Sequence, residues 1–276
     1  MVRHTLSKKI DNLVVSYSDQ FGGAAKAAFR INECLNDSII LSKMLVIKKI
    51  SKSNKVLSYE NKIGLFLFKI KNKLLILIKK ILKSKIDRSF NIFKSPLLKI
   101  INNINPKIVN LNWIGAETLS LKDISKIKKS KIIFTLHDMW AFCGTEHYVY
   151  DNKNYNFIKG YNYSDAKSLL SFFDIYQWKK KISLWKNFYV IAPSKWLSNL
   201  ASKSILMKNC QIFTIPYPIN TKKFYYKKNR KIKKKINIIF SAFGDINNPR
   251  KNFSSLQNIL DKLDPNKFTL NLIGNS

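Results

Sequence analysis

Residues 12–35 read NLVVSYSDQFGGAAKAAFRINECL. The opening run, Asn12 to Tyr17, is apolar and β-branched, as a strand covered on both faces must be. A turn with Gly22 and Gly23 follows, and then a segment that fits a helix. Strand, glycine turn and helix in that order set the pattern for what comes after. PKIVNLNW (Pro106 to Trp113), KIIFTLH (Lys131 to His137) and NFYVIAP (Asn187 to Pro193) are three more near-continuous apolar runs. Helix-compatible stretches lie between them, TLSLKDISKIKK from Thr118 and SDAKSLLSFFDIYQWKKKISLW from Ser164. Ser194 stands where an N-cap belongs, just after a strand. Strands alternating with helices predict an α/β protein with a doubly wound parallel sheet.

The composition changes near residue 220. Residues 222–235, KKFYYKKNRKIKKK, read as a solvated linker, and INIIFSAF (Ile236 to Phe243) starts a new strand. A polar loop, the helix NFSSLQNILDKL and the strand FTLNLIG complete one β-α-β. The expected organisation is therefore a domain over 1–220, a basic linker over 221–235, and over 236–276 the start of a second α/β domain that stops short of the usual ~100 residues.

Lys and Arg number 50 against 16 acids, a formal charge of +34. Such an excess fits a polyanionic partner, whether nucleic acid, nucleotide phosphate or an anionic membrane surface. Lys, Asn and Ile are also the residues that AT-rich codons supply, so solvated lysine faces explain part of it. Cys34, Cys143 and Cys210 form no CxxC pair, which points to reduced thiols and a cytoplasmic protein. No run reaches the ~18 apolar residues of a membrane span. Residues 61–85 mix apolar and basic side chains in a way that gives a helix with one greasy and one cationic face. Such a helix is either a domain helix with lysines in water or one that lies in a membrane interface.

Three places carry possible chemistry. Gly22 and Gly23 lie between a strand and a helix, where backbone approaches a ligand closely and helix N–H groups face an anion. The pattern is neither GxGxxG nor a P-loop. FTLHDMWAFCGTEHYVYD (134–151) holds His137 at a strand's carboxyl end, where open α/β sheets place ligands, with Asp138, Glu146 and His147 close in sequence. His137 suits general acid/base work. A metal hydrolase built on His137, Asp138 and His147 is disfavoured, because neighbours on a strand point to opposite sides and the spacing fits no zinc pattern. Arg250 and Lys251 precede the helix of the second domain and suit phosphate oxygens.

Together, in this order, GGAAKAAFRI, VNLNWIGAETLS, FTLHDMWAFCGTEHY, FDIYQWKKKISLW, IAPSKWLSNLASKS, IPYPINTKKF and FSAFGDINNPRKNF resemble glycosyltransferase family 4, in particular its bacterial polysaccharide, colanic-acid-type branch. The resemblance implies a GT-B fold, a Rossmann-like first domain followed by the opening β-α-β of a second. It implies a retaining hexosyltransferase acting in surface polysaccharide biosynthesis, cytoplasmic or peripheral at the inner face of the cell membrane. By the same resemblance the chain is truncated: the family's later donor-site glutamates are expected beyond Ser276, and the chain is expected to lack most of its donor site and activity. The sugar would pass from a nucleotide-sugar donor to a glycan or lipid-linked acceptor, with no cofactor and no essential metal. By position, His137 is the catalytic residue, while Gly22, Gly23, Arg250 and Lys251 bind the donor diphosphate. Asp138, Trp140, Glu146 and His147 shape the acceptor side. The chain departs from the family's pattern at Asn112, where the branch often has His, at Tyr217, where Asn is usual, and at Asn252, where Gly follows the lysine. The alternative to catalysis is a basic module that binds anionic membrane or nucleic acid; no nucleic-acid-binding motif supports the latter.

Overall fold

The computed structural model describes residues 9–84, 86–149, 155–185, 188–226 and 235–275, with the backbone alone at 243–245 and 275. The chain divides into two units, Met1–Pro218 and Ile219–Ser276.

The first unit runs β1 (Asn12–Ser18), α1 (Gly23–Asn36), β2 (Ser42–Lys48), β3 (Val56–Ser58), α2 (Lys62–Ile81), α3 (Leu97–Ile104) and β4 (Ile108–Leu111). It continues through α4 (Leu121–Ser125), β5 (Lys131–Thr135), α5 (Asn156–Lys159), α6 (Leu169–Leu184), β6 (Tyr189–Ala192), α7 (Lys195–Lys203) and β7 (Gln211–Thr214). The strands form one seven-stranded sheet in the order β3-β2-β1-β4-β5-β6-β7, and every pairing is parallel. The chain winds outward from β1 to β3, returns to β4 on β1's other side, and winds outward again. This is the doubly wound sheet expected from the sequence, with its switch point between β1 and β4.

The continuous apolar run of β1 follows from that central place. Leu13 and Val15 join the large core with Leu45, Val109, Leu111, Phe134 and Val190. Val14 points the other way, into a smaller core with Met44, Val46 and Ala28 of α1. Each such buried side chain contributes roughly 1.5–3 kcal/mol, so neither face tolerates a polar residue. Ser194 caps α7 as expected, its hydroxyl accepting the N–H of Leu197 at 3.3 Å.

The structure differs from the sequence reading in several elements, among them α3 and α5, which that reading did not anticipate. The helix expected from Thr118 shrinks to α4, because Asn91 Nδ2 holds the Leu119 carbonyl at 2.7 Å and the Ser120–Asp123 capping box delays the start. Three strands, β2, β3 and β7, had no counterpart in the expectation.

The second unit contains β8 (Ile236–Asp245), α8 (Phe253–Leu260) and β9 (Phe268–Asn275). β8 and β9 pair in parallel around a small core of Ala242, Ile246 and Phe253. Most of the expected basic linker, residues 227–234, lies outside the described residues. Among the described residues, no helix is long and apolar enough to cross a membrane.

Candidate functional site

In a parallel sheet all carboxyl ends lie along one edge. That edge carries the glycine turn after β1, Asn112 and Trp113 after β4, His137 and Asp138 after β5, and Tyr217 after β7. The Tyr17 N–H at the end of β1 donates to the Trp113 carbonyl at 2.9 Å, and the two rings meet edge to face at 6.0 Å. The Trp113 indole N–H reaches Asp138 Oδ2 at 3.0 Å. The ends of β1, β4 and β5 are thus bonded into one wall.

His137 is half-buried between two partners. Its Nε2 lies 2.9 Å from Asn112 Oδ1 and its Nδ1 lies 2.6 Å from the Tyr217 hydroxyl. The orientation of Asn112 is set from below, since its Nδ2 donates to Asn110 O and Oδ1 at 3.1 and 3.2 Å. Thr135 Oγ1 donates to the same Asn110 oxygen at 2.8 Å. With Asn112 presenting only an acceptor, Nε2 carries the proton, and the Tyr217 hydroxyl shares its one proton between Nδ1 and the Leu136 carbonyl, 2.9 Å away. Burial lowers the His137 pKa to about 4, against the pull of Asp138, so the ring is neutral at pH 7. Burial raises the Tyr217 phenol, and its ring stacks on the imidazole at 5.1 Å. Two of the three departures from the resembled pattern, Asn112 and Tyr217, are therefore the groups that flank His137.

Asp138 faces away from His137. Its Oδ2 holds His147 Nδ1 at 2.6 Å and its Oδ1 accepts the Trp140 N–H at 2.9 Å. Burial alone would raise this carboxyl, but His147 and that N–H hold it below its ordinary value. His147 Nε2 meets Ser89 Oγ at 2.8 Å. Ser89, His147 and Asp138 thus have the connectivity of a hydrolytic triad. All three are buried, the Ser89 hydroxyl also takes the Ala116 N–H at 3.1 Å, and Trp113 stacks on His147 at 5.4 Å. A nucleophile so enclosed has no room for a substrate carbonyl, and the trio works as a clamp. A cavity of about 10 Å³ beside it holds at most one water.

Trp140 and Glu146 are buried as well. Trp140 Nε1 donates to the Ser89 carbonyl at 2.8 Å. Below it the Lys181 amino group, fully buried and its pKa lowered by that burial to about 7, donates to the carbonyls of Trp140, Cys143 and Gly144. It also lies 3.9 Å from the Trp140 ring centroid. Glu146 Oε1 accepts from the Tyr161 hydroxyl at 3.2 Å, while Oε2 finds no hydrogen-bond partner. Burial, with Asp174 nearby, raises Glu146 to about 7. Asp174 itself is paired with Arg88 at 3.0 Å. Gly144 has to be glycine, because a Cβ there would lie 2.5 Å from the Asp174 carbonyl oxygen. Of the four expected acceptor-side residues, then, all are buried and hold the 137–147 loop from behind.

Gly22 takes φ 88, a conformation glycine adopts without strain, and α1 starts directly after it with no side-chain cap. A Cβ on Gly23 would meet nothing within 4 Å, so this helix N-terminus is open to an approaching group. Arg250 and Lys251 lie in the second unit, in a short helical turn before α8. Asn252 accepts the left-handed φ of 53 that Gly would take there. Among the described residues, no cluster of three or more His, Cys, Asp or Glu side chains could hold a metal ion.

Sequence reasoning had named His137, Gly22 and Gly23 at this edge. It missed the partners Asn110, Thr135, Ser89 and Lys181. Lys181 gives no signal, being one lysine in the run Lys179–Lys181. No model of a known protein family matches this chain, and no curated protein does.

Proposed function

We propose that the chain is a glycosyltransferase of GT-B type, moving a hexose with retention from a nucleotide-sugar to a glycan or lipid-linked acceptor in surface polysaccharide assembly. The observation that supports this best is the position of the glycine turn and His137. Both sit on the carboxyl edge of a parallel sheet, beside its switch point, with only β4 between their strands. That spacing is about 10 Å, the scale of a sugar diphosphate.

In this reading the donor's anomeric C–O bond breaks, the diphosphate leaves with the electron pair, and the acceptor oxygen bonds to the anomeric carbon as its proton passes to the departing diphosphate oxygen. The open N-terminus of α1 at Gly22–Gly23 receives the negative charge that develops on the diphosphate. His137 meets the transferred sugar as a neutral ring, not as a cation, and reaches a sugar hydroxyl by exchanging its Tyr217 contact for it. Asp138, Trp140, Glu146 and His147 position the wall without touching the acceptor. The roles of Arg250 and Lys251 as diphosphate ligands draw on the resemblance and on their place before a helix. A cytoplasmic place of action draws on the resemblance and the unpaired cysteines, and the absence of an essential metal on the resemblance alone. The second reading, a non-catalytic module for anionic membrane, draws on one observation, the outward face of α2.

The test is release of nucleoside diphosphate from UDP- and GDP-hexoses. We expect saturable release that falls at least about a hundredfold in His137→Ala. Absence of both release and binding for every nucleotide-sugar tried would contradict the reading.

A further inference from the structure

A helix laid on a sheet turns its apolar stripe inward and its polar face to water. α2 does so only in part. Phe68 and Leu75 point inward and are buried. On the opposite face stand Ile63, Phe66, Leu67, Ile70, Leu74, Leu77 and Ile81, between 47% and 73% exposed. Their spacing of three, four and seven residues puts them on one line along the helix. Lys62, Lys69, Lys73 and Lys80, spaced by seven and four, form a second exposed line directly beside it. On the other flank Lys71 and Lys94 border a groove of about 260 Å³. No acidic residue occurs between Lys62 and Ile81.

Single exposed apolar residues are ordinary, but a continuous line of them along about 30 Å of helix is not. The lysine rows decide what covers it. A second copy of this chain would bring cationic rows together with no acid in either helix to pair them. An anionic lipid surface satisfies both features, since apolar side chains enter the acyl boundary while lysines reach the headgroups. We propose that α2 is an interfacial anchor that docks the first unit onto an anionic bilayer, lying in its surface and not crossing it. This inference stands independently of the sugar-transfer reading.

The experiment is co-sedimentation of the full chain with vesicles of phosphatidylcholine, alone or mixed with phosphatidylglycerol. We expect at least about tenfold tighter binding to the anionic vesicles. Ile70→Gln/Leu74→Gln and Lys69→Glu/Lys73→Glu should each weaken that binding at least about tenfold, or ~1.4 kcal/mol. The substituted side chains are exposed, so circular dichroism and melting should be unchanged. A Phe66→Trp reporter should shift its emission to the blue only with anionic vesicles. Equal binding to both vesicle types would overturn the proposal, as would unchanged binding by Ile70→Gln/Leu74→Gln. Self-association that this variant abolishes, without vesicle binding by the parent chain, would assign the face to a protein interface instead.

Discussion

His137 illustrates how much of a residue's chemistry is set by what its neighbours lack. Asn112 has only an oxygen to offer on that side, because its amide nitrogen is held by Asn110. Tyr217 closes the other ring nitrogen. Asn112 fixes the proton on Nε2, and it is burial that keeps the ring neutral, lowering its pKa to about 4. A histidine depressed in the folded state supports the fold fully above its unfolded pKa of about 6.5 and loses that support as pH falls toward 4. His137→Gln keeps a polar side chain there without the titration. Its stability relative to the parent chain should therefore improve by roughly 1–3 kcal/mol between about pH 6.5 and pH 4, measured by urea denaturation at each pH. A constant difference across that range would show that His137 does not titrate as described. The motif around His137 was conspicuous in the sequence as a cluster of ionisable groups. What could not be read there was which groups face the edge. Asp138 is adjacent in sequence yet bonded to Trp113 and His147 on the other side, and Tyr217, 80 positions away, closes the ring.

At the scale of elements, the 137–147 loop is held by groups from two distant segments. Ser89 and Arg88 bridge it from one side, with the Ser89 N–H on the Thr145 carbonyl at 2.9 Å and Arg88 paired with Asp174. α6 holds it from the other through Lys181. Truncating that amino group would leave the carbonyls of Trp140, Cys143 and Gly144 buried without their donor. Lys181→Met, which keeps the volume, should cost about 3 kcal/mol or more of stability in chemical denaturation. A loss below about 1 kcal/mol would mean that the loop does not depend on it. Periodicity could not have revealed this residue, because a lysine on a helix is ordinarily in water. The same limit hid β2, β3 and β7. SKMLVIK is strand-like, but lysines at both ends blur its margins, and VLS and QIFT are too short to show a period. β1, β4, β5 and β6 were legible because strands covered on both faces must be apolar throughout.

For the whole molecule, the alternation of strands and helices was enough to give the parallel α/β sheet, and strand order then placed the glycine turn and His137 on one edge. The order itself was not legible, since β2 and β3 are needed to make β1 central. Part of the formal charge of +34 gains a specific location in α2, where lysines border an apolar face. The proposed sugar transfer requires a nucleotide-sugar to bind at the carboxyl edge beside the switch point. Amide and histidine NMR shifts of the isotopically labelled chain, titrated with UDP- and GDP-hexoses, test it most directly. Saturable shifts at Gly22, Gly23 and the His137 ring are expected. Shifts absent there and confined to exposed lysine-bearing segments would contradict it.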